Sequence, residues 1–397
     1  MSTTLAAILS AAGAVAFLGI TAALTWWFLF RKKLASRTSE TGSSDPSVQA
    51  LERQASVELS PREAKCFDLE ELSLATKSFS DKNLIGCGKF GEVFKGLLND
   101  GMLVAIKRRR QNPSQEFVDE VRYLASIQHR NLVSLLGYCQ EDNQQFLVYE
   151  YIPSGSVSSY LYGEGQLSDG KLEFKLRLSI ALGAAKGMAH LHSLSPRLTH
   201  KDFRTSNVLV DENFIAKVAD SGLRNFLYKS GIAGPSSEIT AGEIFQAPEY
   251  VSLLIFYPNF RTFYRVKEFN QYSERSDVFS FGVFLLELLA GREAFQPPSP
   301  GTSETLLEWV QKIEDYVNFS TIVDKKMGTS FTSQGMEEFI ELMMRCIQVQ
   351  SQRRPLMSHV AAEIDRILEK EMTLTTVMTE EGTPTVTLGS QLFRAVK

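Results

Sequence analysis

The pattern of hydrophobic and polar positions changes character once along the chain. Short apolar or alternating runs typical of strands come first, at LIG (84–86), EVFKGLL (92–98), LVAIKR (103–108) and QFLVYEY (145–151). Among them, SQEFVDEVRYLASI (114–127) has the three-to-four spacing of an amphipathic helix. From residue 172 the spacing is helical, and SDVFSFGVFLLELLAG (276–291) is apolar almost all round, as a buried helix is. We therefore predict an α+β chain with a small β-rich lobe, a larger helical lobe and a cleft between them.

Two flanking stretches lack this periodicity. Residues 31–65 are rich in Ser, Thr, Glu, Arg and Gln, which predicts a flexible linker. Residues 371–397 become Thr-rich and aperiodic, which predicts a flexible C-terminal tail. The ordered domain is expected between them, over residues 66–370.

The strongest apolar run precedes the linker. Residues 5–30 carry no charged side chain, and this is enough helix to cross a bilayer with some tilt. RKK (31–33) follows at once, and positive charge marks the cytoplasmic flank of a span. A cleaved signal peptide is the alternative, although the run is longer than the apolar core of a signal peptide and no positive charge precedes it. We expect a single-pass plasma-membrane anchor, with residues 1–4 outside the cell and the remainder cytoplasmic.

Composition narrows the classes of partner. The net charge of −4 gives no broad positive field for nucleic acid. The densest basic run, KRRR (107–110), is either a localisation or phosphate patch or the solvated end of a strand. Four cysteines and five histidines are scattered without metal-ligand spacing, which argues against zinc and fits free thiols. The expected partners are a membrane and other proteins, and no nucleic acid.

A glycine-rich stretch carries the first candidate chemistry. GCGKFGEV (86–93) has the G-x-G-x-x-G spacing, and glycine lets backbone N–H groups approach phosphate oxygens. Alone the pattern is weak, because dinucleotide-binding turns share it, but those turns lead into a helix whereas strand-like residues flank this one. VAIK then ends at Lys107, which suits pairing with nucleotide phosphates, and Glu120 on the next helix is a candidate ion-pair partner for it.

A second candidate group lies in HKDFRTSNVLVDENFIAKVADSGL (200–223). Asp202, Asn207 and Asp220 carry hard oxygen atoms that suit magnesium, and a carboxylate there could also accept a proton. Together with the glycine loop and Lys107, these groups point to phosphoryl transfer or to nucleotide binding without transfer.

These motifs stand in a recognisable order. The glycine loop, VAIK, HKD…N, D-x-G and APE (247–249) resemble the signature set of the eukaryotic protein kinases over residues 79–370. FDLEELSLATKSFSDKNLIG, HRNLVSLLGYC, LVYEY and SDVFSFGVFLLELLAGRE are similar to plant receptor-like kinases of the interleukin-receptor-associated, Pelle-like type. The resemblance implies a bilobal protein kinase fold over 66–370, ATP and Mg²⁺ as ligands, and a protein substrate or a partner receptor kinase.

The resemblance also implies roles for individual residues. Asp202 would orient the substrate hydroxyl and accept its proton, with Lys107 and Arg204 as further catalytic groups, and Asn207 and Asp220 would coordinate magnesium. The nucleotide would contact the glycine loop, the sheet and the hinge that follows Tyr149, through Ile85, Gly86, Cys87, Gly88, Lys89, Phe90, Gly91, Val93, Ala105, Lys107, Glu120, Glu150 and Ile152. Asp277 would anchor the catalytic loop, and Glu249 would pair with Arg354.

The sequence departs from the family pattern at several positions. Lys201 replaces an Arg and so lacks the planar fork that captures a phosphate, and Arg204 replaces a Lys. Ser221 replaces the Phe of D-F-G, which would forfeit about 1.5–3 kcal/mol of apolar burial unless the space is filled. Gly242 replaces a Thr that contacts the catalytic loop, and LLIFYPNFRTFYRVKE (253–268) is either an aromatic-rich insert or a mis-spliced segment.

Two functions are compatible with this sequence. The first is a membrane-anchored Ser/Thr kinase, with full or weak activity. This function is favoured because every group that meets the phosphates is present. The second is an ATP-binding pseudokinase that acts as a scaffold or allosteric partner of an active receptor kinase, which the departures favour. We favour the enzyme.

Overall fold

The computed structural model describes residues 63–88, 90–163, 172–223, 245–249, 272–299, 301–302, 304–312 and 316–376. The predicted membrane span at 5–30 and most of the linker lie outside these residues, as do Lys89, Gly242 and the stretch 253–268. Within the part that is described, no helix is both long enough and apolar enough to cross a bilayer. The anchor at 5–30 stays a prediction.

A six-stranded sheet forms the N-terminal lobe, in the order β1-β5-β6-β4-β3-β2. β1 pairs with β5 in parallel, and the other neighbours are antiparallel. The strands are β1 Lys65–Cys66, β2 Leu84–Cys87, β3 Glu92–Leu97, β4 Leu103–Arg110, β5 Leu135–Glu141 and β6 Gln144–Glu150. The predicted strands are therefore present, and the end of the predicted linker adds a short edge strand to them.

A helix covers each face of this sheet. α1 (Leu69–Ala75) lies on one face, where Phe67 and Leu72 join a buried cluster with Ile106, Phe146 and other strand residues. α2 (Gln115–Ser126) lies on the other face, and its buried positions pack against side chains that include Leu147 and Tyr149. The Ser114 hydroxyl caps α2 by accepting the N–H of Phe117 at 3.2 Å. The second face is the one that turns toward the helical lobe.

The C-terminal lobe is built around one helix. Among the described residues, its helices are α3 Val157–Tyr162, α4 Phe174–Ser193, α5 Glu274–Ala290, α6 Leu306–Lys312, α7 Ser333–Cys346 and α8 Met357–Thr376. A hairpin of β7 Val208–Val210 and β8 Ala216–Val218 joins them. Residues 276–290 of α5 are all buried, as the apolar sequence predicted. Gly291 ends α5 with a φ of 63°, a conformation that glycine adopts at low cost.

The C-terminal boundary differs from the expected one. α8 continues to Thr376, so residue 370 lies inside a helix. Glu371 is fully buried and accepts the backbone N–H of Thr332 at 3.0 Å, next to the first turn of α7. The Thr-rich composition after residue 371 hid this end of the helix, because composition does not reveal the long-range contact that buries Glu371.

Candidate active site

The sheet brings four predicted groove residues onto one face. Val93 on β3 is paired with Lys107 on β4, and Ala105 on β4 is paired with Tyr149 on β6. Residues that face each other across strands, and residues two apart along a strand, share a face. Tyr149 is buried, and the Lys107 ammonium lies 5.5 Å from the centre of its ring. Burial, with help from the charge of Asp220, raises the pKa of Tyr149, so this side chain is a neutral wall of the groove.

The Lys107 ammonium joins the two lobes. It contacts the Asp220 carboxylate, which follows β8 in the helical lobe. We expected Lys107 to pair with Glu120, and that pairing stays a prediction. The ion pair seen for Lys107 is with Asp220, whose φ of 63° lies in the left-handed region.

The glycine loop is closed by its own hydrogen bonds. The Gly88 N–H donates to the Gly91 carbonyl at 2.8 Å, and the Gly91 N–H donates to the Gly88 carbonyl at 3.0 Å. Gly91 has a φ of 137°, and a Cβ there would meet the Arg108 carbonyl at 2.0 Å, so only glycine fits. A Cβ at Gly88 would meet nothing within 4 Å, which leaves room for a ligand. Each of these two N–H groups therefore points to the carbonyl of the other glycine in this conformation and not to a ligand.

The remaining residues of the loop divide between exposure and burial. Ile85, Gly86 and Cys87 on β2 are exposed. Phe90, by contrast, is buried in the core, with the Arg109 guanidinium 4.7 Å from its ring centre. Phe90 thus contributes to packing of the lobe in this conformation, whereas residues 85–87 remain accessible.

The hinge is fixed by a side chain that sequence reasoning missed. The Glu150 carboxylate accepts the Ser134 N–H at 2.7 Å and the Lys217 ammonium at 2.9 Å. Lys217 is on β8, so this pair ties the hinge to the strand that leads into Asp220. Ile152, the other predicted hinge residue, is buried. The available signal was a charged residue at the end of an apolar strand, and the sequence analysis gave Glu150 only a nucleotide contact.

Asp202, Arg204 and Asn207 form one hydrogen-bonded group in the catalytic loop (200–207). The Arg204 guanidinium donates to the Asp202 carboxylate at 2.6 Å. The Asn207 side-chain N–H donates to the Asp202 carbonyl at 2.8 Å, and the Asn207 carbonyl accepts the Ala219 N–H at 2.8 Å. Because residue 219 precedes Asp220, the structure joins the two predicted magnesium ligands through one backbone bond.

The Asp277 carboxylate fixes the start of the catalytic loop. Its carboxylate accepts the backbone N–H groups of His200 at 2.8 Å and Lys201 at 3.0 Å, and contacts the His192 ring at 2.9 Å. Burial opposes ionisation of Asp277, but these donors and the neighbouring histidines hold its pKa below the usual value. Lys201 has a φ of 64°, which costs a lysine about 1–2 kcal/mol, and the Asp277 bond maintains it. The predicted anchoring role of Asp277 is confirmed.

The predicted ion pair between Glu249 and Arg354 is also present. Two guanidinium nitrogens of Arg354 each donate to a different Glu249 oxygen at 2.7 Å. Burial opposes ionisation of Glu249, yet the Arg354 bonds lower its pKa below the usual value. The pair connects the APE motif to the end of the helical lobe.

This arrangement matches that of a known family. The family model for protein tyrosine and serine/threonine kinases matches residues 79–364. This chain belongs to that family. Its predicted resemblance to the kinases is therefore confirmed, as is the bilobal kinase fold.

The relatives of this kinase chain are plant receptor-like kinases. The proline-rich receptor-like protein kinase PERK2 of Arabidopsis thaliana is 37% identical over 311 residues, which cover 76% of this chain and 40% of PERK2. Receptor-like cytoplasmic kinase 176 of Oryza sativa subsp. japonica is 33% identical over 359 residues, covering 86% of this chain and 85% of that protein. The chain thus spans two fifths of PERK2 and most of the second relative.

A solved structure gives a different kind of relative. The pseudokinase domain of BIR2, described as an immune regulator of the RLK/Pelle family, matches with a TM-score of 0.61 and 27% identity. The match covers 81% of this chain and 94% of that one. The kinase fold is therefore shared both with proteins named as kinases and with one named as a pseudokinase.

The donor set of the site suits Mg²⁺ and a triphosphate. Asp220 and Asn207 supply hard oxygen ligands, which magnesium prefers. The Asn207 amide N–H is committed to the Asp202 carbonyl, so its oxygen is the atom left to face a ligand. Lys107 and Arg204 add two positive charges, and Gly88 leaves open space. Bound magnesium would neutralise phosphate charge here, and these residues would hold it.

Ser221 does not fill the place of the Phe that it replaces. Its hydroxyl is buried and has no hydrogen-bond partner. The neighbouring Gly222 has a φ of 76°, and a Cβ there would lie 2.7 Å from Leu124 on α2 and 3.1 Å from Leu198. Both leucines are buried, so they close on the backbone beside Ser221 and supply part of the missing apolar contact.

Proposed function

We propose that this chain is a membrane-anchored Ser/Thr protein kinase that transfers the γ-phosphate of ATP to protein hydroxyls. The anchor is residues 5–30, the linker is 31–65, and the kinase domain runs from 66 to the end of α8 on the cytoplasmic side of the plasma membrane. The observation that carries the proposal is the meeting of Lys107 with Asp220, beside the hydrogen-bonded group of Asp202 and Asn207. Cation and carboxylates there match the charges of a magnesium–triphosphate complex.

The chain's own residues then have defined tasks. Lys107 would hold phosphate oxygens, and Asn207 and Asp220 would hold the metal. Asp202 orients the substrate hydroxyl and takes its proton as the new bond from oxygen to the γ-phosphorus forms. The bond from that phosphorus to the bridging oxygen breaks, and ADP leaves. Arg204, held at Asp202 by a 2.6 Å bond, places positive charge beside the transferred group.

Transfer of labelled phosphate from ATP to casein by the full chain tests this function. Asp202→Asn should lower the rate by about 100-fold or more, because a positioned base contributes that much. Asp142→Asn makes the same chemical change at an exposed turn and should leave the rate unchanged. Equal background incorporation by wild type and Asp202→Asn would contradict the enzyme. Separately, deletion of residues 5–30 should release the chain from membranes, and retention would contradict the anchor.

A pseudokinase is the second candidate function. The buried, unpartnered hydroxyl of Ser221 favours it, since the D-F-G position lacks its usual packing. The likeness to the BIR2 pseudokinase domain supports it as well. On this proposal the chain binds ATP and acts on a partner receptor kinase without turnover. Thermal stabilisation by Mg-ATP together with no labelled product would select this function.

A further inference from the structure

A buried carboxylate lies beneath the catalytic loop. Glu287 is on α5, and only 1% of its surface is exposed. One of its oxygens, Oε2, accepts the Thr205 hydroxyl and also the Tyr162 hydroxyl at 3.1 Å. The other, Oε1, accepts the backbone N–H of Ala294 at 2.9 Å. The three donors belong to the catalytic loop, the last residue of α3 and the turn after α5, so one side chain joins three separate elements.

The Thr205 contact bears on the metal-binding side of the loop. Thr205 is 1% exposed and begins the single 3-10 turn Thr205–Asn207. The far end of that turn, Asn207, bonds both the Asp202 carbonyl and the Ala219 N–H. A shift of Thr205 therefore moves Asn207 and loosens its connection to the residue before Asp220. Asp277 fixes the start of the loop at residues 200–201, and Glu287 fixes its end.

The carboxyl group of Glu287 meets all three donors at once. An apolar side chain of similar size, such as Met, would leave the buried Thr205 hydroxyl and the Ala294 N–H without this acceptor. Burial raises the pKa of Glu287 to about 7, against the opposing effect of its hydrogen-bond donors, and the nearby charge of Glu293 adds to the rise. Burying this carboxyl group is costly, and both of its oxygens accept hydrogen bonds that offset the cost.

We propose that Glu287 is a positioning residue that fixes the end of the catalytic loop through Thr205, and so sets the place of Asn207 for its ligand. This inference rests on the proposed function for the role of Asn207, but the mechanical link can be measured without nucleotide. It predicts that changes at Glu287 or Thr205 loosen the loop selectively.

Hydrogen–deuterium exchange of the full chain tests the link. Glu287→Met and Thr205→Val each remove the hydrogen bond between these two side chains. Each should speed exchange of the Asn207 and Ala219 amides by about tenfold, the effect of losing one buried hydrogen bond. Thr205→Ser keeps the hydroxyl and should restore slow exchange. Tyr162→Phe removes another donor from the same oxygen but not the loop contact, and it should leave these two amides slow. Equal protection in wild type, Glu287→Met and Thr205→Val would overturn the proposal.

Calorimetry with ATP separates this inference from the proposed function. In wild type, Mg²⁺ should strengthen ATP binding, and Thr205→Val should reduce that gain by about fivefold or more while metal-free binding stays the same. Loss of thermal stability with an unchanged magnesium gain would make Glu287 structural only and would contradict the proposal. If wild type binds no ATP at all, the proposed function fails, and the exchange result alone decides the link between Glu287 and the loop.

Discussion

Asp277 and Asp220 show two ways in which this molecule uses an aspartate. Asp277 is fully buried, and its carboxylate is surrounded by the His192 ring and two backbone N–H groups. The Asp220 side chain is 23% exposed at the groove, and its carboxylate contacts the Lys107 ammonium. The protein supplies the hydrogen-bond donors that the Asp277 carboxylate needs. The Asp220 carboxylate can still accept bonds from a ligand.

This difference in burial and bonding distinguishes an aspartate that positions the loop from one that faces the ligand. A buried charge is tolerated only when its donors are supplied in place, so Asp277 defines where residues 200–201 lie. A metal ligand must instead exchange partners, and the Asp220 carboxylate is paired with one ammonium that a bound cation could replace. The same residue type thus positions the loop in one place and faces the ligand in the other.

The largest effect is expected at the scaffold aspartate. Asp277→Asn leaves one oxygen for three donors and removes the charge that they stabilise, so the free energy of unfolding should fall by about 3–5 kcal/mol. Urea denaturation followed by intrinsic fluorescence measures this. Asp220→Asn is the matched change and should cost less, about 2 kcal/mol, because it breaks one partly buried ion pair. Similar losses for the two variants would remove the distinction between them.

Glu287 extends the comparison to pH. Burial raises its pKa to about 7 from 4.5, so the folded state holds the proton more tightly than the unfolded state does. The resulting stability is fully present below pH 4.5 and is lost as pH rises through 7, by up to about 3 kcal/mol. Melting temperatures measured from pH 5 to 8 should fall with a steeper slope in wild type than in Glu287→Gln. Parallel slopes would contradict a buried, titrating Glu287.

The smallest expected effect concerns the D-F-G position, between scaffold and ligand. Ser221→Ala removes a buried hydroxyl that has no partner and should raise stability by about 1 kcal/mol. Ser221→Phe must displace Leu124 and Leu198, which close on Gly222, unless α2 moves. Thermal shift measures both variants. Destabilisation by Ser221→Ala would show that the hydroxyl has a partner after all.

Short-range patterns predicted most of the fold. The strands, α2 and the buried α5 follow from the spacing of apolar residues. Burial on one face and burial on all faces give different spacings, and both can be recognised in a short stretch of sequence. The glycine loop and catalytic loop were found for the same reason, because their chemistry needs fixed residue types a few positions apart. Asp277 and the Glu249–Arg354 pair came only through the family resemblance.

Long-range choices were not predictable from these patterns. Lys107 and Asp220 are 113 residues apart, and their contact depends on how the two lobes are placed. The contact of Thr205 with Glu287 spans 82 residues. Its sequence signal was a glutamate inside the otherwise apolar 278–290, which favoured a buried partner but did not name it. The last turns of α8 depend on the contact of Glu371 with Thr332 in the same way.

Calorimetric titration of ATP into the full chain, with Mg²⁺ and with EDTA, tests most directly whether Lys107, Asp220 and Asn207 form a nucleotide site. We expect binding in both conditions and a gain of about tenfold or more with Mg²⁺, equivalent to about 1.4 kcal/mol, which Asp220→Asn abolishes. An absence of binding with and without Mg²⁺ would contradict the nucleotide site, and with it both the kinase and the ATP-binding pseudokinase.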